Sequence, residues 1–425
     1  MTGGQWHKMV HVDNINGRQV ISTANSPAGA LSVGHMRLSA RLFDHISKAE
    51  SIWREMEKAP HVSLHQSFDW CTAWAQMPGV KTMAALVSLD GRPAVLFPFE
   101  IVHKSGLRIA RLIGTAHSNF NSPIYSAGFL AECDQLMVDE LVDTLTALAI
   151  PADLIVIDKL RPSVGDIAQP LLCLPHVTSQ NPSFQLPLLG DFAETLAQVN
   201  AKRRRKKFRV SERRLEEFGG YRQVEASDDA SAQWLLENFL AQKSLRLKEQ
   251  GLPDVFGAPG VANTLARLTN FSANAGNPVI KLFGIELIDG LKDGQRGKLI
   301  SVAGLTEKQG HIICQFGSVD DRTVPEASAG ELLFYLMIEQ MNQAGGHVFD
   351  FGVGDQRYKR SWCPVMTEHC DVFIPLNMRG SLLGLVQSTI VRTKRFIKNS
   401  PRLRSVANRI RALTVNGKTA ADAAD

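Results

Sequence analysis

Apolar positions recur along the chain in two periods, one that suits helices and one that suits strands, and the two kinds of segment alternate throughout. Between His45 and Lys58 the apolar residues fall at Ile46, Ala49, Ile52, Trp53 and Met56, the spacing of one helix face. Ser67–Gln76 repeats that spacing with Phe68, Trp70, Cys71 and Trp74. Strand-like runs cover Met36–Phe43, Thr82–Leu89, Ala94–His103, Arg108–Gly114 and Leu154–Leu160, with a helical stretch at Leu136–Ala149. Asp90-Gly91 separates two of these strands and is a strong hairpin signal. A second series follows Gly190. Helices are predicted over Phe192–Phe218, Ala230–Lys248 and Val261–Ala275. Strands are predicted at Val279–Ile288, Lys298–Leu305 and Gly310–Gly317, turning at Asp289-Gly290 and Lys308-Gln309-Gly310. The helix Ser328–Ala344, the strand His347–Phe351, the short helix Tyr358–Trp362 and the strand Cys370–Pro375 complete the series.

This alternation predicts an α/β (α+β) protein with two units, residues 35–187 and 188–375. The order of elements is similar in both, although no residue-level repeat links them. Residues 1–34 are polar and rich in Gly, Ser and Asn, and are expected to be a flexible tail without the basic-then-apolar pattern of a secretory leader. Residues 376–425 form a basic tail predicted to be helical, split at Ser400-Pro401.

Composition narrows the class. Hydrophobic residues are 44% and charged residues 21%, as in a protein that buries a core, so a wholly disordered chain is excluded. No run reaches the roughly 18–20 apolar residues needed to cross a bilayer. The six cysteines are scattered and form no C-x-x-C pair, which excludes a disulfide framework and a zinc ribbon and makes the cytoplasm the default compartment. The net charge of +5 is unevenly spread: between 376 and 421 stand ten Lys/Arg and no Asp/Glu, and without them the remainder is net acidic. A second basic run at 202–214 holds nine Lys/Arg and one Glu.

Several catalytic signatures are missing, among them G-x-S-x-G, H-E-x-x-H and a complete Walker A loop. The histidines show no ligand spacing, so no metal is expected. One constellation stands out. The strand Ile312–Gly317 leads through a loop to a helix that opens at Ser328-Ala329-Gly330-Glu331. A further strand then ends in Asp350, followed by Gly352, Gly354, Asp355, Tyr358, Lys359 and Trp362. A helix N-terminus presents unpaired N–H groups to an anion. Ser328-x-x-Glu331 is equally a capping box that would satisfy those amides itself. Asp350 can orient an acceptor, act as a base, cap a turn, or pair with Arg357 or Arg360. Tyr358 and Trp362, four apart, can instead form the buried face of a short helix. On the 202–214 helix, Lys202, Lys206, Arg209 and Arg213 share one face, while Phe208, Leu215 and Phe218 share another. The apolar face can anchor the helix, and the basic one is either solvated or a phosphate contact. The basic tail can lie on an anionic membrane, bind an anionic regulator, or pack on the acidic body.

The order of strand, loop, small-residue helix start, long helix, strand and Tyr-bearing segment resembles the core of the GNAT acyltransferases. Three stretches resemble the CelD-type (BioF2-like) acetyltransferases of that superfamily, which are related to the Fem-type transferases and associated with bacterial cellulose and exopolysaccharide synthesis. They are Gln66–Trp74, the basic helix Lys202–Arg209 continuing to Leu215, and Ser328–Leu333 with Phe349–Gly352, Gly354-Asp355 and Tyr358–Trp362. The resemblance implies tandem GNAT-like units, with chemistry in the second. It also implies direct acyl transfer from acetyl-CoA or another acyl-CoA to an amine or hydroxyl of a sugar or lipid-linked sugar precursor. Tyr358 would protonate the departing thiolate, with Asp350 or Asp355 as base. Gln315, Phe316 and Gly317 would face the thioester, Gly317 letting the strand splay, and Ser328, Ala329 and Gly330 would hold the diphosphate. Lys359, Arg205 and Arg209 would contact the substrate. The glycine-rich pyrophosphate loop of ordinary GNAT enzymes is replaced here by Arg322–Gly330. Two alternatives remain: a Fem-like aminoacyl transferase using aminoacyl-tRNA, and a non-catalytic scaffold at the cytoplasmic membrane surface.

Overall fold

Two mixed sheets carry the molecule. The computed structural model describes residues 38–104, 106–288 and 296–399. The expected N-terminal tail, the Asp289-Gly290 turn and the chain beyond 399 lie outside the described residues.

The strands of the first sheet are β1 (Leu38–Phe43), β2 (Lys81–Leu89), β3 (Arg92–Lys104), β4 (Leu107–Leu112), β5 (Leu154–Leu160) and β6 (His176–Thr178). Those of the second are β7 (Ser183–Pro187), β8 (Tyr221–Glu225), β9 (Lys281–Leu287), β10 (Lys298–Lys308), β11 (His311–Val319), β12 (Val348–Val353) and β13 (Val365–Thr367). A last strand, β14 (Cys370–Pro375), returns to the first sheet. In space the first sheet runs β1-β2-β3-β4-β5-β14-β6, and the second β8-β9-β10-β11-β12-β7-β13.

The two orders follow one plan. Four antiparallel strands are joined to a fifth by a parallel pairing, β4 with β5 and β11 with β12. Parallel neighbours need a crossover, and helices provide it. These are α3 (Ala127–Glu132) with α4 (Gln135–Ala147) in the first case, and the long helix Ala329–Gln343 in the second. The sixth strand of each sheet comes from the far side of the chain: β14 pairs with β5, and β7 pairs with β12. Both sheets are therefore completed by exchange.

Local chemistry fixes the hairpins. Leu89 faces Arg92, leaving a two-residue loop in which Asp90 and Gly91 have φ of 49° and 76°. Lys308 faces His311 across Gln309 and Gly310, at 52° and 76°. Positive φ at both central residues matches the right-handed twist of the flanking strands.

The remaining helices pack on these sheets. They are α1 (Glu50–Met56), α2 (Phe68–Ala75), α5 (Phe192–Ala197), α6 (Ala201–Glu217), α7 (Asp229–Glu249), α8 (Val261–Thr269), α9 (the 329–343 crossover), α10 (Arg357–Trp362) and α11 (Met378–Asn399). The single helix expected over Phe192–Phe218 is two. Asn200 leaves helical geometry at φ −2°, ψ 71°, and its side chain accepts from the Arg203 N–H, so it starts a new helix. Trp53, Trp70 and Trp74, each at most 1% exposed, join α1 and α2 to Phe239 of α7 in one apolar cluster. Phe349, Phe351 and Trp362 centre a second cluster under α9. Phe97, Phe99 and Leu141 centre a third under α4.

Gly114, two residues beyond β4, has φ 72°, and a Cβ there would stand 2.8 Å from Trp74 Cδ1, whereas Gly91 has φ 76° and open space around it. Gly91→Ala should cost about 1 kcal/mol through the left-handed backbone alone. Gly114→Ala should cost roughly 1–3 kcal/mol more through overpacking. Urea unfolding of the two variants checks the difference.

Candidate functional site

β11 and β12 pair for only three residues, His311 with Val348, Ile312 with Phe349 and Ile313 with Asp350. Beyond that point β11 stays with β10, and β12 turns to β7. The strands part at Ile313/Asp350, four residues before the Gly317 expected to allow it. A cavity of about 560 Å³ fills the opening. Its walls bring together Gln315, Phe316 and Gly317 of β11, Ser328 and Gly330 at the start of α9, and Tyr358 and Lys359 of α10. Ala329, 3% exposed, is packed beneath the helix start and does not line the cavity.

The helix start is open because its cap is used elsewhere. Ser328 sits at φ 50°, ψ 49°, and its side chain caps nothing, so the capping box does not form. Glu331 turns instead to Arg204 Nη1 (2.7 Å) and Lys207 Nζ (3.6 Å). Arg204 is 3% exposed; it also donates to the carbonyl and hydroxyl of Ser361 and lies 3.9 Å over the Trp362 ring. Gly330 lets α9 approach β11, since a Cβ there would fall 2.6 Å from Val319 Cγ2. From the other side, α7 contributes Lys243, whose Nζ donates to the Gly317 carbonyl at 3.2 Å, and Arg246. First-turn amides, Lys243 and Arg246 thus face one space, which Glu331 and Asp321 also line; Arg204 and Lys207 pair with Glu331 and Arg246 lies 3.5 Å from Asp321, so the amides and Lys243 are the donors left for a diphosphate.

Tyr358 is 37% exposed and stacks on Phe334 at 5.4 Å, while Trp362, four residues on, is 1% exposed, so the two do not share a buried face. Burial raises the Tyr358 phenol, which keeps its proton at neutral pH. Lys359, 5% exposed, donates to the carbonyls of Gly352 (3.2 Å) and Val353 (2.8 Å). Burial pushes its ammonium down to about 8.

Asp350 lies under the fork and does not line the cavity. Its partners are neither Arg357 nor Arg360. It accepts from Arg161 Nη2 (2.6 Å), the Gly352 amide (2.7 Å), Gln185 Nε2 (3.1 Å) and His311 (3.3 Å). Burial alone would raise its pKa. The His311 hydrogen bond, the Arg161 charge and the Gly352 amide outweigh that and hold it well below the carboxylate range. Asp355 pairs with Arg360 outside the cavity lining. Arg205 borders a separate hollow with Tyr335 and Glu339, and Arg209 is exposed on the outer face of α6. Neither is brought to Tyr358.

Sequence reasoning missed Asn119, Arg161, Arg204, Lys243 and His65. Asn119 bridges the fork: its Nδ2 donates to Gln315 Oε1 (3.3 Å) and its Oδ1 accepts from the Val353 amide (3.1 Å). Gln315 Nε2 donates to His65 Nε2 and Thr306 Oγ1, both at 2.7 Å. Burial holds His65 down to about 3, so it accepts that bond as the neutral ring. A smaller hollow of about 260 Å³ lies beyond this bridge and shares Asn119, Gln315 and Phe316 with the large cavity. It is lined by Trp70, Trp74, His117 and Lys159, with His117 stacked on Trp74 at 4.0 Å. Only the basic run around Arg204 had a sequence signal, and that signal did not say which arginine turns inward.

Residues 202–360 match the family model of the acetyltransferase (GNAT) domain. Residues 202–360, which hold most of the second sheet, are thus similar to an acetyltransferase domain of the GNAT type. No curated protein matches the chain. Among solved structures, FemX is similar in fold, with a TM-score of 0.57 at 12% identity over 81% of this chain and 99% of that one. A conserved protein of unknown function from Bacteroides thetaiotaomicron gives 0.49 at 9% identity, over 78% of this chain and 99% of its own. L-PGS from Bacillus licheniformis gives 0.46 at 10%, over 82% and 98%. A GNAT domain implies an acyl-CoA co-substrate.

His65, His117 and His369 are held neutral by burial, to about 3, 4 and 4. Each folded pKa lies below the unfolded value near 6.5, so the unfolded chain binds more protons as the pH falls. Stability should therefore decline progressively from about pH 6.5 to pH 4, His65 alone contributing roughly 3 kcal/mol at pH 4. Asp350, depressed as a carboxylate, adds its loss only below about pH 4. Denaturant midpoints measured between pH 7 and 4 check this, and His65→Gln should flatten the slope.

Proposed function

We propose that the protein is an acyl-CoA-dependent N- or O-acyltransferase acting on a sugar precursor of a bacterial exopolysaccharide or cellulose, by direct transfer. The observation that carries the reading is the fork between β11 and β12, with an uncapped helix start on one wall and Tyr358 on another. Ser328 and the Ala329–Gly330 backbone, with Lys243 and Arg246, would hold the diphosphate. The donor supplies an acyl group activated as a thioester. The β11 edge at Gln315–Gly317, which lacks a strand partner on the side of the fork, would orient its carbonyl. Tyr358, protonated at neutral pH, would give its proton to the leaving sulfur. Asp350 would act from beneath as a positioning residue that fixes the fork. Asp355, paired with Arg360, would contact the acceptor only at the cavity mouth, and Arg205 and Arg209, on another face of the molecule, would take no part in holding it.

The smaller hollow supports a sugar acceptor. Trp70 and Trp74 are each 1% exposed and His117 covers the Trp74 face, so the hollow would offer a sugar the His117 ring and the side-chain amides of Asn119 and Gln315. The units would be residues 35–187 and 188–375 with β7 and β14 exchanged between their sheets, and with transfer chemistry in the second.

A second reading, an aminoacyl transferase drawing on aminoacyl-tRNA, is favoured by α6. Its outer face carries Lys202, Arg203, Arg205, Lys206 and Arg209, all exposed, a surface for a polyanion. Thermal-shift titration with coenzyme A, acetyl-CoA and bulk tRNA separates the two. Saturable coenzyme A binding is expected. Binding to tRNA alone would sink the acyl-CoA reading. Tyr358→Phe should lower kcat about tenfold or more and leave coenzyme A affinity within about twofold.

We also propose a peripheral membrane contact through α11. No described helix is long and apolar enough to cross a membrane. Yet α11 leaves Met378, Leu382, Leu385 and Phe396 from 67% to 89% exposed, beside Arg379, Arg392 and Lys394, while Arg395 turns to Glu368 of the body. An apolar stripe with cations and no acid suits an anionic bilayer surface. Deleting 379–425 should reduce cosedimentation with vesicles of anionic lipid at least about threefold and leave neutral vesicles unaffected.

A further inference from the structure

Lys359 is an odd residue to find in a cavity wall. Its side chain is 5% exposed, and the nearby Asp350 carboxylate is occupied by Arg161 and His311. Its only partners among the described residues are two backbone carbonyls, Gly352 O at 3.2 Å and Val353 O at 2.8 Å. A buried ammonium without a carboxylate is costly, whereas a neutral amine suits this place. Its two N–H bonds match the two carbonyls and leave its lone pair unused, in a residue that lines the cavity.

The surrounding charges agree. Cys314 faces it from β11, Asp350 from β12, Cys363 from the end of α10, and Lys243 from α7. Burial pushes the Cys314 thiol up to about 11 and raises Cys363 and Tyr358 as well, so these groups stay protonated. Burial brings the Lys359 amine down to about 8 from its ordinary 10.5, with Lys243 adding to the fall and Cys314 and Asp350 opposing it. At pH 8 about half of such amines are neutral, against under about 1% of ordinary lysines.

We propose that Lys359 is an acylation site: when the cavity holds an acyl thioester and no acceptor, its amine takes the acyl group. The nitrogen lone pair attacks the thioester carbonyl carbon, the N–C bond forms and the C–S bond breaks. The proton shed by nitrogen goes to the departing sulfur. The products are an Nε-acyllysine and a free thiol. This rests on the thioester-donor reading above. Acylation removes the charge and one N–H, so the bond to one of the two carbonyls is lost, and the added group occupies the space an incoming donor would use.

The full-length chain treated with S-acetyl-N-acetylcysteamine, a thioester without a nucleotide, tests the site by peptide mass spectrometry. Lys359 should acetylate about tenfold or more faster than the median lysine, with a rate that rises through a midpoint near pH 8. Lys359→Arg, checked by thermal unfolding, should lose that adduct alone, and coenzyme A should protect the wild-type residue. Acetyl groups on Cys314, Lys243 or surface lysines with Lys359 unmodified would overturn the proposal. Rapid labelling of Lys359 with no thermal shift or protection by coenzyme A would uphold the amine and remove the acyl-CoA donor. Coenzyme A binding with an inert Lys359 would do the reverse.

Discussion

A carboxylate buried with no exposure must be met by donors, and Asp350 gathers them from three separate parts of the chain. Arg161 follows β5 of the first sheet, Gln185 belongs to the exchanged strand β7, and His311 opens β11. Asp350 also occupies the last paired position of the parallel pair β11/β12. One charge therefore ties the first sheet, the exchanged strand and both arms of the fork together at the point where the fork opens. Removing a partner would strand the charge, and a slip of β12 by one residue would turn it to the other face of the sheet. The cavity depends on that register. Asn119 adds a lighter restraint above the fork, bonding one arm through Gln315 and the other through Val353.

The exchange of β7 and β14 gives the fork its second wall. β12 can leave β11 because β7 satisfies its other edge, from Val348 to Val353. A sheet edge inside a folded body cannot go unpaired without cost. If β7 were withdrawn, β12 would lose the neighbour on its outer side and the incentive to diverge. The same logic holds in the first sheet, where β14 pairs with β5. There, however, the pairing of β4 with β5 ends at Arg111/Val156, and the loop 115–121 is bonded to β5 beyond it, through the Thr115 and Ser118 carbonyls to Lys159 Nζ and through Asn121 to Asp158. Two sheets of one topology thus differ in what lies where the parallel pair parts: a bonded loop in one, a cavity in the other.

What could be read from the residues was what local physics dictates. Asp90-Gly91 and Gln309-Gly310 turn where they should because their conformation is set within two residues. The long helices begin and end near their apolar stripes, and the small residues at 329–330 mark the close approach of α9 to β11. The exchanged strands were harder. Ser183–Pro187 is five residues with a proline and pairs with a segment more than 160 positions away, a choice no local period records. The capping box at Ser328 was a fair local expectation and failed for a non-local reason, because Arg204 and Lys207 claim Glu331. Asp350 was placed near chemistry by its neighbours in sequence. Its partner Arg161, 189 positions earlier, makes it structural.

The pair formed by Arg204 and Glu331 also sets the electrostatics of the cavity. A glutamate in the first turn of a helix favours the helix dipole but repels an anionic ligand at the same amides. Here Arg204 and Lys207 draw the carboxylate onto α6 and neutralise it. The positive end of α9 is then left beside Lys243 and Arg246, with no capping oxygen over the first amides. Arg204 is held by Trp362 from below and by Ser361 at its edge, so it cannot follow Glu331 toward solvent. The basic helix therefore acts through its one buried arginine: with Lys207 it offsets the charge of Glu331, a carboxylate in the wall of the cavity where a diphosphate would sit. Its exposed cations have no part in that geometry.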